Sequence, residues 1–116
     1  MTEVTELLQA GAHAEQLRQQ AIAANIANLQ TPGYRRVDVR FEQLLAKAME
    51  SGNDDEIAKV EPEFFHPMDT PLQSNGNDVT LEDEVGRMVE NSLRYKTYMR
   101  LLDKKYKQME TALQTP

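Results

Sequence analysis

The chain has 116 residues, 40% of them hydrophobic and 28% charged, no Cys, and a net charge of −6. That length holds one modest core, and the missing thiols exclude disulfide scaffolds, thiol catalysis and Cys-based zinc sites. The acidic balance offers no strong basic face, which argues against nucleic acid as a partner.

The chain opens MTEVTELLQAG, with acids where a secretory signal would carry a basic n-region, so no cleavable signal peptide is expected. No apolar run approaches the ~20 residues of a membrane span. Residues 3–29 read as a first helix. Val4, Leu7, Leu8, Gly11, Ala14, Leu17, Ala21 and Ala24 follow helical spacing, and Ile22, Ile26 and Leu29 add a second apolar edge. Its many Ala residues and Gly11 make a slim face that lets another backbone come close.

Thr31-Pro32-Gly33-Tyr34 stops that helix. Thr31 precedes a proline and is pushed out of the α region. Pro32 followed by Gly33 fits a type II turn, whose third residue needs a positive φ. A short helix is expected near 39–50, with Phe41, Leu44, Leu45 and Ala48 at i, i+3, i+4, i+7. Residues 52–79 then read as extended or loose. Residues 50–78 hold eight acids against Lys59 alone, and they carry Pro62, Pro67, Pro71 and the turn Asn75-Gly76-Asn77-Asp78.

Residues 80–113 give the strongest pattern. Leu81, Val85, Met88, Ser92, Tyr95, Met99, Leu102, Tyr106, Met109 and Leu113 form a heptad seam in which nine of ten positions are apolar or aromatic. Thr80 is placed to cap this helix. Glu82, Asp83 and Glu84 fill its first turn and Lys104, Lys105 and Lys107 lie near its end, as the helix dipole favours. The expected fold is all-α. Two long terminal helices pair as a coiled coil (residues 1–30 and 80–116), joined by a turn, a short helix and a loose acidic segment (31–79). A lone helix of this length must pack on something. The Ala-rich first helix buries little, so other chains are expected to complete the packing. This describes an assembly subunit.

Nothing in the sequence proposes a catalytic, metal or cofactor site. His13 reads as a helix-face residue and His66 as an ordinary loop residue. No nucleophile triad, phosphate-binding Gly loop or paired acid cleft is present. The expectation is a non-enzyme without cofactor, metal, nucleic acid or small-molecule substrate.

Asn25-Ile26-Ala27-Asn28 followed by Thr31-Pro32-Gly33-Tyr34 resembles the N-terminal signature of the bacterial flagellar rod and hook family, the axial proteins of the basal body. Arg35, Asp38 and Phe41 continue the pattern. Asn77-Asp78-Val79, then Asn91-Ser92-Leu93-Arg94-Tyr95, is similar to the proximal-rod, B-type branch. The resemblance covers residues 8–48 and 75–114. It implies a structural rod subunit made in the cytoplasm, exported by the flagellar type III apparatus and assembled across the periplasm for motility. Implied partners are further copies and other rod subunits, the adaptor between MS ring and rod, and the export gate. Phe41 and Leu45 fit the family's export-recognition pattern, an aromatic residue followed four positions later by an aliphatic one; simple packing of the short helix explains them as well. Expected subunit-packing residues are Asn25, Ile26, Asn28, Tyr34, Val85, Met88, Tyr95, Met99, Leu102, Tyr106, Met109 and Leu113, with Thr31, Pro32 and Gly33 as the turn. The alternative is a cytosolic coiled-coil adaptor or chaperone-like protein that binds a partner helix.

Overall fold

The computed structural model describes residues 2–114; Met1, Thr115 and Pro116, the outermost positions of the expected terminal segments, lie outside the described residues. The elements in chain order are α1 (Thr2–Ala27), β1 (Asp38–Arg40), α2 (Glu42–Glu50), α3 (Asp54–Ala58), β2 (Glu63–Phe65) and α4 (Leu81–Gln114). The molecule is elongated, 67 × 29 × 14 Å.

The two long helices form where the sequence predicts them. The intervening segment corrects the all-α expectation. β1 and β2 pair antiparallel, with Asp38 opposite Phe65, Val39 opposite Phe64 and Arg40 opposite Glu63. The Arg40 guanidinium lies over the Phe65 ring, 4.1 Å from its centroid, a cation–π contact that ties the two strands. Part of the stretch expected to be loose is also helical. Asn53 caps α3 by accepting from the Asp55 N–H at 2.9 Å. Periodicity could not announce strands of three residues; their alternation is too short to register.

The turn after α1 is as expected. Gly33 has φ +75°, and the Tyr34 N–H donates to the Thr31 carbonyl at 3.3 Å, the geometry of a type II turn. The turn is exposed at Thr31, Pro32 and Gly33.

α1 and α4 run antiparallel. Gln9 donates to the Tyr106 hydroxyl at 2.8 Å, Gln16 to the Tyr95 hydroxyl at 3.3 Å, and Asn25 to Glu84 at 3.1 Å. The apolar core is small and rich in short side chains: Ala12, Ala14, Ala21, Ile22, Val39, Phe41, Ala48, Val79 and Leu102. Val39 and Phe41 bring β1 and the start of α2 to the same core.

The face that α4 turns to α1 is not the apolar seam. Its buried residues are Glu84, Asn91 and Leu102. Most of the expected seam is exposed: Leu81 at 47%, Val85 at 41%, Met88 at 42%, Met99 at 37%, Tyr106 at 47% and Leu113 at 87%. Tyr95 and Met109 are half-buried, and Leu102 alone of the seam is buried. The two stripes lie about a fifth of a turn apart on the helix, as 3.6 residues per turn dictates. The apolar one therefore stands beside the intramolecular contact and leaves it to polar groups.

At Gly11 the ring of Tyr98 lies against the backbone of α1. A Cβ built there would stand 2.4 Å from ring atoms of Tyr98. Gly11→Ala is expected to push the ring out of the interface and cost about 1–3 kcal/mol by overpacking. The same change made with Tyr98→Leu is expected to cost far less. Urea unfolding of the two variants and their parents checks this coupling.

Candidate functional site: a polar junction between the terminal helices

Asn25 sits on the last turns of α1, fully buried. Its amide nitrogen donates to the Val37 carbonyl at 2.9 Å and to Glu84 Oε2 at 3.1 Å. Its Oδ1 accepts from the Val37 N–H at 2.9 Å and from the Tyr34 hydroxyl at 3.1 Å. Both donors and both lone pairs of one side chain are thus satisfied. Through them Asn25 joins the helix, the chain after the turn, and α4.

Glu84 is equally buried and answers three groups. Besides Asn25 it accepts from Arg36 Nε at 3.3 Å and from Arg87 Nη1 at 2.9 Å. Arg36 is itself 4% exposed and also reaches Asp38 at 3.1 Å. A buried charge without such partners would cost several kcal/mol.

Asn77 and Asp78 close the junction from the other side. The Asn77 amide donates to the carbonyls of Asn28 at 2.9 Å, Leu29 at 3.3 Å and Thr31 at 2.9 Å. These carbonyls lie just past α1 and in the turn, where those of Asn28 and Thr31 also accept the Thr31 and Tyr34 N–H groups at 3.1 and 3.3 Å. Asp78 accepts from the Arg36 N–H at 2.5 Å and from Arg35 Nε at 3.0 Å. The Gly33 N–H donates to the Asn75 carbonyl at 2.9 Å. At Gly76, φ +82°, an added Cβ would sit 3.5 Å from the Gly33 Cα, so two turns stack backbone to backbone. The turn after α1 and the lead-in to α4 are one stapled unit.

A second polar layer lies midway along the helices. Glu15, 1% exposed, accepts from Arg94 Nε at 2.7 Å and from Arg18 at 2.6 Å. The Asn91 amide donates to the Glu15 carbonyl at 2.6 Å. Arg18 reaches on to Glu42 of α2. Burial works against the Arg18 charge, but the hydrogen bonds it donates to Glu42 and Glu15 outweigh it and its pKa is raised. Burial likewise works against the Glu42 carboxylate, and its bond to Arg18 still draws its pKa below the ordinary value. Among the described residues no buried side-chain nitrogen or oxygen lacks a partner.

Burial, then the negative charges of Glu84 and Asp78, raise the pKa of Tyr34. Burial, then Glu42 and Glu15, raise that of Tyr98. In each case the fold favours the neutral phenol. That stabilisation is complete below the unfolded-state value near 10 and is lost as pH rises through the folded-state pKa. Helix content is therefore expected to fall in alkaline solution. Tyr34→Phe removes one donor to Asn25, costs about 1 kcal/mol at neutral pH, and is expected to weaken the alkaline loss. Circular dichroism against pH checks both.

The residues singled out from sequence are distributed as follows. Asn25 and Tyr34 belong to the junction. Asn28 is half-buried; its amide bonds the Ala24 carbonyl at 2.8 Å and its oxygen accepts from the Thr31 hydroxyl at 3.1 Å. Ile26 is half-buried. Val85, Met88, Met99, Tyr106 and Leu113 line the outer stripe of α4. Phe41 is 2% exposed and Leu45 half-buried. Glu15, Arg36, Glu84 and Asn91 escaped sequence reasoning. Asn91 stands in one of the family motifs and Arg36 only beside one, and nothing local marks an acid as buried. Glu84 reads as one more carboxylate in a first turn.

The arrangement holds two helices and a turn in one register, and the work of its side chains is structural. The family model described as "Flagella basal body rod protein" matches residues 8–35, which carry most of α1 and the turn. The chain is similar to the flagellar basal body rod protein FlgB of Escherichia coli K12, 30% identical over 115 residues, covering 84% of this chain and 83% of that one. It is 24% identical to the protein of that name from Bacillus subtilis over 111 residues, with 84% and 82% of the two chains covered. To the one from Borreliella burgdorferi it is 32% identical over 97 residues, with 68% and 72% covered. The chain belongs to the flagellar basal-body rod protein family. That is a family of structural rod proteins and not of enzymes.

Proposed function

We propose that this chain is a subunit of the proximal rod, assembled by helix packing against further copies and other rod subunits. The observation that carries the reading is the outer stripe of α4. Leu81, Val85, Met88, Met99 and Tyr106 stand exposed along one helix whose intramolecular contact is polar. Contiguous apolar surface of this kind marks an association face. In this reading Tyr95, Leu102 and Met109 border both contacts, while Asn25, Ile26, Asn28 and Tyr34 set the helix end that neighbours meet. The three-part division of the chain follows: two terminal segments that build the rod wall, and a middle segment that buttresses α1.

The subunit is made in the cytoplasm, leaves through the flagellar type III apparatus without a cleaved signal, and reaches its place in the periplasm unfolded. The export gate and the adaptor between MS ring and rod are its further partners. Phe41 and Leu45 are the pair read at the gate. Phe41 is buried in the folded chain, so the pair is legible only before folding. Phe41→Ala with Leu45→Ala is expected to block secretion while the cytoplasmic pool persists; a different destabilising change, Ala48→Gly, is expected to leave secretion intact. Equal secretion of both would end the export role.

Deletion of the gene tests the whole reading. Cells are expected to stop swimming and to show basal bodies with an MS ring but no rod, hook or filament. Normal flagella in a strain without a second copy would overturn it.

A further inference from the structure

Between the first half of α1 and the pair α2–α3 lies an open cleft of about 290 Å³, roughly twice the size of a cavity that admits one benzene ring. Leu7, Leu45 and Ile57 contribute its apolar lining, and Glu6, Asp54 and Asp55 its acidic part. The three carboxylates are exposed residues without an ion-pair partner among the described residues. No residue of α4 lines the cleft. α4 is one unbroken helix to Gln114, so its own end has no hinge with which to turn in.

The end of α4 has the opposite character. Lys104, Lys105 and Lys107 gather within four positions, and only Lys107 has an acid beside it, Asp103 at 3.0 Å. Leu101 is 42% exposed and Leu113 is 87% exposed. With Asp103 and Glu110 set against the three lysines, residues 101–114 carry a net charge of +1, so this end is weakly basic and apolar, where the cleft is acidic and apolar.

We propose that the cleft receives the C-terminal turns of α4 from a second copy of this chain. Leu113 enters between Leu7, Leu45 and Ile57, and Lys105 and Lys107, on the flanks of the same helix end, face Glu6, Asp54 and Asp55. The occupant follows from charge complementarity: each copy carries the acidic receptor and the basic insert on different elements. Such a contact is heterologous. Each copy gives with one surface and receives with another, so the contact repeats without using itself up, and it yields an open filament unless the rotation closes a ring. The inference rests on the subunit reading above and names the contact that propagates the assembly. It also covers Leu45 once a subunit is in place.

The test is a photo-reactive benzoylphenylalanine at Leu113 of the full chain, illuminated both in flagellated cells and in the purified protein. The expected product is a homodimer whose cross-linked peptide falls within residues 6–10 or 41–60. Lys105→Glu with Lys107→Glu is expected to lower the yield about five- to tenfold, the size of two exposed ion pairs. Mixing that variant with Asp54→Lys, Asp55→Lys chains is expected to restore it. Adducts elsewhere on the chain, adducts only to a different protein, or no homodimer in either setting would overturn the proposal. If the chain is missing from purified basal bodies, the rod reading fails, and the purified protein alone then decides the cleft.

Discussion

Asn25→Ala is expected to remove much of the stability of the folded chain. The change deletes four hydrogen bonds at once. It leaves the Val37 N–H and carbonyl, the Tyr34 hydroxyl and Glu84 Oε2 without the partner Asn25 gave them. Each buried polar group so abandoned costs about 1–3 kcal/mol before water or rearrangement recovers some of it. A net loss of about 3–5 kcal/mol follows, against total stabilities of ~5–15 kcal/mol for ordinary domains. Asn25→Asp should be no milder, although it is nearly isosteric. It replaces the donor aimed at Glu84 with a second carboxylate, and like charges in a buried site repel. Urea unfolding followed by circular dichroism measures both variants. A loss below about 1 kcal/mol for Asn25→Ala would show that the junction is looser than its geometry, since that is the worth of a single ordinary hydrogen bond.

The second large effect falls on assembly and spares the monomer. Met88 and Met99 lie on the outer stripe of α4, 42% and 37% exposed. Neither is among the buried residues of α4, Glu84, Asn91 and Leu102, so Met88→Glu with Met99→Glu spares the face that meets α1. The unfolding midpoint of the isolated chain is expected to move by no more than the ~0.5 kcal/mol typical of surface substitutions. In the assembled rod the same carboxylates would be buried without partners, which costs several kcal/mol per subunit interface. Motility and rod formation are expected to be lost. The contrast with Asn25→Ala is the informative part: one variant fails to fold well, the other folds and fails to assemble. A motile Met88→Glu, Met99→Glu strain would remove the stripe from the subunit contact.

The helices, the turn and the separation into two ends and a middle were legible in the sequence because each rests on a local rule. Helical spacing, Pro32 and Gly33 need no knowledge of the rest of the chain. The partner of the α4 stripe was not legible. Periodicity reports that Leu81, Val85 and Met88 share a face, but not how that face divides between α1 and other chains, both of which are expected to meet it. α1 chose a different face for a reason that depends on pairs. Glu15 with Arg94, and Asn25 with Glu84, are 79 and 59 residues apart in the chain. Taken singly each is a polar residue on a helix, the commonest sign of solvent exposure. Only the folded pairing turns them into a buried layer. Of the junction, Asn25, Asn28 and the turn stood out through the family resemblance, and Asn77 and Asp78 were quoted with it. Their bonds to the end of α1 and to the arginines after it could not be inferred from spacing.

The staple between the two turns bears on how such a chain can change size. Gly33 is bonded to Asn75, and the Asp78 N–H donates to the Tyr34 carbonyl at 3.4 Å. Everything between them leaves and returns at one fixed pair of points. The segment is thus a closed excursion from a helical stem, and its ends stay pinned whatever its length. Lengthening such an excursion is cheap: each doubling adds only about 0.6 kcal/mol of closure entropy. An exposed point such as Ser51–Asn53 is the place where residues can be gained or shed without disturbing the helix pair. One stem can in this way carry heads of different girth, so the outer diameter of an assembly can be altered while its axial wall keeps the same geometry.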